Sequence, residues 1–408
     1  MISLSEALEL IKSFLKPLPP IKKPVFEAEG HVLAEDIYAL LDVPGRDVSL
    51  KDGYAVISED IASASPENPV PLEILGESFA GEESNLSVRP GSCVRLTAGA
   101  LLPQGATAVL AEEFVREEGS RILALADAPF GKNVLRRGTD ISRGALLVAR
   151  GNPLFPPEVG LISAAGHAEV LVYPRPRVFL LATGDEIVAP GYPLKAGQIF
   201  ASNLVTLASW CQHFGFEYRA RVEKDEKDLL KKALIDFYES PFEVLITSGG
   251  AWKGPKDLIV NLLDELGWKK IFHRVRMGPG KAVAFGLWGP KIVFCLPGGP
   301  PSNQMAFLNL ALPGLFLLSG AREGPFPTLK VRLSKGLSGQ KGWTQLFFGK
   351  ISLREGELYF EPVPFKSRLS YLAEGEALAL LEEDKDELKE GETVCVRLLK
   401  PLFQCRFI

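Results

Sequence analysis

Three strings in the second half of the 408-residue chain end short apolar runs with glycine: LATGDE at 181–186, ITSGGAWKG at 246–254 and CLPGGPPSN at 295–303. Gly184, Gly249, Gly250, Gly298 and Gly299 carry no Cβ to keep a bulky anion off the backbone. Lys281, within GPGK, adds a compact positive charge. Three such loops converging at one place suit a phosphate-bearing ligand. Carboxylates stand beside them: Asp185 and Glu186 in the first loop, Asp225 after the second strand and Asp257 in the first turn of a helix. Together these acids can hold Mg²⁺ against phosphate oxygens. Each also has a plainer reading. Asp225 stands where a helix N-cap belongs, Asp257 complements a helix dipole, and Asp185 follows a turn glycine. Nothing structural requires a second acid beside Asp185, which singles out Glu186.

Two loops of the first third are dense in polar and turn-forming residues: DVPGRDVSLKDGYAV at 42–56 and NVLRRGTDI at 133–141. Arg136 and Arg137 form a fork for an oxyanion, and Asp52 and Asp140 can position a metal or a water. Their plain readings are an exposed basic face and, for Asp52-Gly53, a turn dipeptide. If these loops and the glycine loops serve one site, it lies between domains or between subunits.

These loops need elements to hold them. From residue 178 the pattern alternates strictly: strand 178–182, helix 203–213, strand 217–222, helix 226–239, strand 244–247, helix 256–266, strands 271–275, 282–285 and 291–296, then helix 302–318. Such alternation predicts a parallel, doubly wound sheet with helices on both faces, whose ligands settle at the carboxyl ends of the strands. Before it, residues 44–132 read as a small β-rich domain. After it, residues 328–408 return to β-type runs of a small barrel or sandwich. The chain opens with an amphipathic helix over 4–15, behind a Ser3/Glu6 capping box.

Composition bounds the function. Forty-six Lys and Arg against fifty Asp and Glu leave a net charge of −4, too near neutral for a nucleic-acid-binding surface. No apolar run approaches the roughly 20 residues that cross a bilayer, and the N-terminus lacks a signal pattern, so a cytoplasmic protein without membrane or nucleic-acid partners is expected. Five scattered cysteines without a C-x-x-C pair, and only four histidines, argue against a disulfide framework or a zinc site.

In order and spacing, DVPGRDVSLKDGYAV, RLTAGALLP, RRGTDI, LATGDEI, TSGG, GPGKAVAFG and an LPG followed by Pro-Ser resemble the molybdopterin molybdenumtransferase family, which includes the E-domain of gephyrin. The resemblance covers essentially the whole chain. It implies an elongated chain of α/β plus β class in four regions. These are a discontinuous linking region at 1–43 with 138–173, a β-rich domain at 44–137, a molybdopterin-binding α/β domain at 174–326 and a C-terminal β-barrel at 327–408. It implies a homodimer whose active site joins the α/β domain of one subunit to the β-rich domain of the other. It also implies a molybdopterin adenylyltransferase as upstream partner, and a Mg²⁺-dependent reaction in which adenylylated molybdopterin loses AMP and takes molybdenum from molybdate. Matching positions carry over Asp52, Asp140, Glu186, Asp225 and Asp257 as catalytic acids, with Glu186, Asp225 and Asp257 at the metal. The ligand-binding set becomes Thr183, Gly184, Asp185, Ser248, Gly249, Gly250, Lys281, Pro297, Gly298 and Ser302.

The chain departs from the family pattern where ligand contacts are expected. Lys51 replaces an apolar residue, Ala98 replaces a Thr, Ala251-Trp252 follows Gly250 in place of Val-Ser or Ala-Ser, Gly278 replaces the first lysine of Lys-Pro-Gly-Lys, and Gly299 replaces the Asn of Leu-Pro-Gly-Asn-Pro. The acids favour an active transferase. The altered contacts favour a non-catalytic pterin- or nucleotide-binding paralogue acting as carrier, sensor or scaffold.

Overall fold

The computed structural model describes residues 1–83, 85–251, 258–364 and 368–401. The chain forms two compact units, one of Met1–Ile21 with Tyr173–Ile408 and the other of Lys22–Val172.

At the centre of the larger unit is a six-stranded sheet in the order Tyr218–Glu223, Val178–Thr183, Val244–Ser248, Lys291–Leu296, Ala284–Trp288, Lys269–His273. Its inner strands Val178–Thr183 and Val244–Ser248 are buried on both faces, as the middle of a covered sheet requires, while the edge strand Tyr218–Glu223 is polar. Val178, Leu180, Ala182, Val244 and Ile246 point into one core, shared with Leu204, Leu207 and Cys211 of helix Ser202–His213. Phe179, Leu181 and Leu245 point into the other, against Leu230, Ala233, Leu234 and Phe237 of helix Lys227–Glu239. The two helices therefore leave the sheet on opposite faces, which opens a crevice at the carboxyl ends of Val178–Thr183 and Val244–Ser248.

The expected all-parallel sheet is corrected at one edge. The first four strands run parallel, but Ala284–Trp288 is antiparallel to both Lys291–Leu296 and Lys269–His273. Only Gly289-Pro290 separates Trp288 from Lys291, and so short a link cannot make the crossover that parallel strands need. Helix 302–318 is interrupted as well: Pro300–Ala306 passes into a π-turn over Phe307–Ala311 before Leu312–Leu318. Pro313 cannot donate an amide to the preceding turn, a local reason for the irregular ladder. At that turn Asn309 accepts a hydrogen bond from the Arg397 guanidinium on barrel strand Thr393–Leu398. Burial pulls the pKa of Arg397 down to about 10.

The C-terminal region is a closed five-stranded barrel: Thr344–Arg354, Glu357–Pro362, Thr328–Leu333, Thr393–Leu398 and Ala377–Leu381, the last pairing back onto the first. Its interior is filled by Val331, Leu333, Phe360, Ala379, Leu381 and Val396. The N-terminal helix Leu4–Phe14 carries the Ser3/Glu6 capping box and buries Leu4, Ala7 and Ile11.

The smaller unit holds a six-stranded sheet ordered Ala108–Ala111, Gly53–Val56, Ser92–Leu96, Val70–Ser78, Arg121–Ala124, Val115–Glu118, and a three-stranded sheet of Ile21–Pro24, Glu169–Tyr173 and Val32–Leu33. Among the described residues no helix is long and apolar enough to cross a membrane.

Candidate functional site

Three strand ends of the α/β sheet open into one cavity of about 550 Å³. Thr183 and Glu186 come from the end of Val178–Thr183, Ser248, Gly249 and Gly250 from the end of Val244–Ser248, and Pro297, Gly298 and Gly299 from the end of Lys291–Leu296. Asp225, after strand Tyr218–Glu223, completes the acidic edge. A second cavity, of about 460 Å³ on the barrel, brings none of the nominated residues together.

The glycines are there for room. Gly249 has φ +100°, and a Cβ on it would stand 2.9 Å from the Thr183 carbonyl oxygen, so the two loops touch backbone to backbone. Gly250, at φ +67°, would meet Ile259 at 2.9 Å. Gly299 differs: a Cβ there would meet nothing within 4 Å.

Side-chain amides tie the floor together. Asn203 Nδ2 donates to the Gly298 carbonyl at 2.7 Å and to Ser248 Oγ at 3.3 Å. Asn303 Nδ2 donates to the Pro297 carbonyl at 2.9 Å and to the same Ser248 Oγ at 3.1 Å. Sequence reasoning missed both asparagines. Asn303 had left a faint signal, a polar residue directly after a glycine-rich strand end, and it is 2% exposed. Arg368, also missed, is a cation on the cavity wall contributed by helix Arg368–Glu374 of the C-terminal region.

Glu186 and Asp225 are the acids of the lining. Asp185 lies beside them and accepts a hydrogen bond from the Asp225 amide at 3.3 Å. The N-cap of helix Lys227–Glu239 is Glu226, without a side-chain cap bond, so Asp225 does not stand at the cap position that its plainer reading gave it. Asp257 lies outside the described residues. Lys281 is half-buried beside the lining residue Ala282, with its ammonium 5.2 Å from the centre of the Trp343 ring. Ser302 sits in helix Pro300–Ala306, next to Asn303 but not in the lining.

Within the smaller unit, Asp52 Oδ1 accepts the Ala98 amide at 2.9 Å, while the Thr97 hydroxyl accepts the Ala80 amide at 3.0 Å. The departure at Ala98 therefore leaves a backbone N–H on the acid and turns the neighbouring hydroxyl elsewhere. Asp140 is exposed, with its amide bonded to Val43. The Arg136–Arg137 fork is engaged: Arg136 pairs with Asp47 at 2.9 Å and Arg137 with Asp42 at 2.7 Å. The Arg143 amide and the Arg137 side chain hold the Asp42 carboxyl below its usual range.

Among the described residues no group of three His, Cys, Asp or Glu forms a metal cage. Mg²⁺ needs none, because it keeps waters and takes one or two carboxylates plus substrate phosphates. Glu186 and Asp225 on one wall fit that donor set.

A doubly wound domain with a glycine-floored, acid-edged cavity, joined to a closed barrel and a separate β-rich unit, defines the class of protein. Three family models match successive parts of the chain: MoeA N-terminal region (domain I and II) over residues 2–166, "Probable molybdopterin binding domain" over 179–316, and MoeA C-terminal region (domain IV) over 330–399. The molybdopterin molybdenumtransferase of Synechococcus elongatus is 31% identical over 407 residues, covering 98% of this chain and 100% of that protein. Molybdopterin molybdenumtransferase 2 of Mycobacterium tuberculosis is 30% identical over 396 residues, covering 96% and 98%. A solved molybdopterin biosynthesis MoeA protein from Pyrococcus horikosii superposes with TM-score 0.82 at 34% identity, covering 98% of this chain and 100% of that one. The chain belongs to the molybdopterin molybdenumtransferase family, enzymes of molybdenum cofactor biosynthesis.

Proposed function

We propose that this chain catalyses the Mg²⁺-dependent insertion of molybdenum from molybdate into adenylylated molybdopterin, with release of AMP. The observation that carries this reading is the convergence of Thr183, Ser248–Gly250 and Pro297–Gly299 on one cavity edged by Glu186 and Asp225. Bare carboxylates repel a pyrophosphate, so acids on the wall of an anion pocket make sense with a divalent cation between. Bound there by Glu186 and Asp225, Mg²⁺ would neutralise charge on the pyrophosphate. The glycine loops admit the phosphates to the backbone, Arg368 and Lys281 supply positive charge near the cavity, and the acids orient the attacking oxygen. The dithiolene sulfurs that receive the metal belong to the pterin, so the protein needs no cysteine ligand of its own.

The same reading makes the active enzyme a cytoplasmic homodimer, with Asp52 and Asp140 of one subunit serving the cavity of the other, and a molybdopterin adenylyltransferase supplying its substrate. Purified protein given adenylylated molybdopterin, molybdate and Mg²⁺ is expected to release AMP. No release, with a standard family member active in parallel, refutes it. The paralogue reading, a non-catalytic binder, rests on Gly278 and Gly299 in place of polar groups and predicts tight pterin binding without turnover.

A further inference from the structure

Asn203 and Asn303 reach Ser248 from two different helices, and their other contacts fix which way each amide faces. Each Nδ2 also meets a backbone carbonyl, Gly298 for Asn203 and Pro297 for Asn303. A carbonyl only accepts, so each amide presents its NH₂ side, and each spends one proton on the carbonyl and one on Ser248 Oγ. Ser248 Oγ thus receives two donors, which fills both lone pairs. Its own proton must be given away, and among the described residues no side chain or carbonyl takes it. Ser248 is 6% exposed and lines the cavity.

From this we infer that Asn303 is a positioning residue that, with Asn203, turns Ser248 into a donor-only hydroxyl aimed at an oxyanion of the ligand. This rests on the anion-binding reading of the cavity above. A hydroxyl is ordinarily ambivalent, free to donate or accept. Here two amides remove the ambivalence before ligand arrives, so a tetrahedral oxyanion finds a proton waiting and no lone pair to repel it. Asn303 lies one helical turn beyond Gly299, the position at which the family pattern carries an asparagine. Its amide links the ends of strands Val244–Ser248 and Lys291–Leu296, so the chain supplies at 303 a polar group that it lacks at 299.

The test is a double-substitution cycle read by calorimetric titration with molybdate and, separately, inorganic phosphate. The two arms show which oxyanion the hydroxyl serves. Ser248→Ala and Asn303→Ala are each expected to weaken binding on the order of tenfold, and the double variant no more than Ser248→Ala alone, because Asn303 acts through that hydroxyl. Additive losses, an unchanged affinity in Asn303→Ala, or no anion binding by the unsubstituted protein would overturn it. Should Asn303→Ala fail to fold, the half-buried Asn203 gives the same cycle as Asn203→Ala. AMP release is assayed apart. Oxyanion binding with the expected cycle but without AMP release refutes the enzymatic reading and leaves this one standing, whereas AMP release with additive losses does the reverse.

Discussion

The carboxylate of Glu186 folds back over Gly184, so closely that a Cβ on that glycine would lie 2.8 Å from Glu186 Oε2. Gly184 also sits at φ +150°. Gly184→Ala therefore displaces the acid without deleting it. Its kcat is expected to fall on the order of 100-fold, as misplacement of a catalytic group by about 1 Å can do, and to approach that of Glu186→Ala. A steady-state comparison of the two variants decides; an unchanged kcat in Gly184→Ala would show that the position of Glu186 is immaterial.

Two glycines of the floor should behave oppositely. Gly249→Ala forces a side chain at φ +100° toward the Thr183 carbonyl and is expected to cost roughly 1–3 kcal/mol. Gly299→Ala enters open space at φ −72° and should stay within about 0.5 kcal/mol of the parent. Urea unfolding of both measures the contrast, and equal losses would remove the case for close loop contact.

Burial pushes the thiols of Cys93, Cys211 and Cys295 up from an ordinary 9.0 to about 12. A raised pKa favours the neutral thiol in the folded state. The stability this contributes is fully present below pH 9.0 and is lost as pH rises through about 12. Below that window Cys395, which is exposed, should alkylate while the three buried thiols stay unmodified until unfolding. Peptide mapping after iodoacetamide treatment checks this, and early labelling of Cys211 or Cys295 would contradict it.

Much of the α/β domain could be read directly, because its inner strands are short apolar runs and helices such as Lys227–Glu239 are amphipathic. That helix has Leu230, Ala233, Leu234 and Phe237 on one face. The antiparallel edge was written in Gly289-Pro290, but a pattern of alternating elements does not weigh link lengths. Arg368 could not be found in advance, since it reaches the cavity from the C-terminal region and no local pattern announces a distant neighbour. The amides of Asn203 and Asn303 were hidden for a different reason: their part is to fix another side chain, and only geometry shows two donors on one oxygen.

The proposed sharing of the site between subunits has its own consequence. Mixed dimers of Asp52→Ala and Glu186→Ala subunits contain one intact site if the two acids come from different protomers. Co-expression should then restore about a quarter of the unsubstituted activity from two inactive parents. Mixtures as inactive as their parents would place both acids in one subunit's site, whereas a fully active Asp52→Ala parent would leave Asp52 without a role.

The central claim is that the acids at the glycine-floored cavity do chemistry instead of merely lining a binding pocket. Its most direct test measures, on Glu186→Ala and Asp225→Ala, both the affinity for adenylylated molybdopterin and the rate of AMP release with molybdate and Mg²⁺. The account predicts affinity within about tenfold of the parent and a rate lower by on the order of 100-fold or more. Full AMP release by both variants would contradict it.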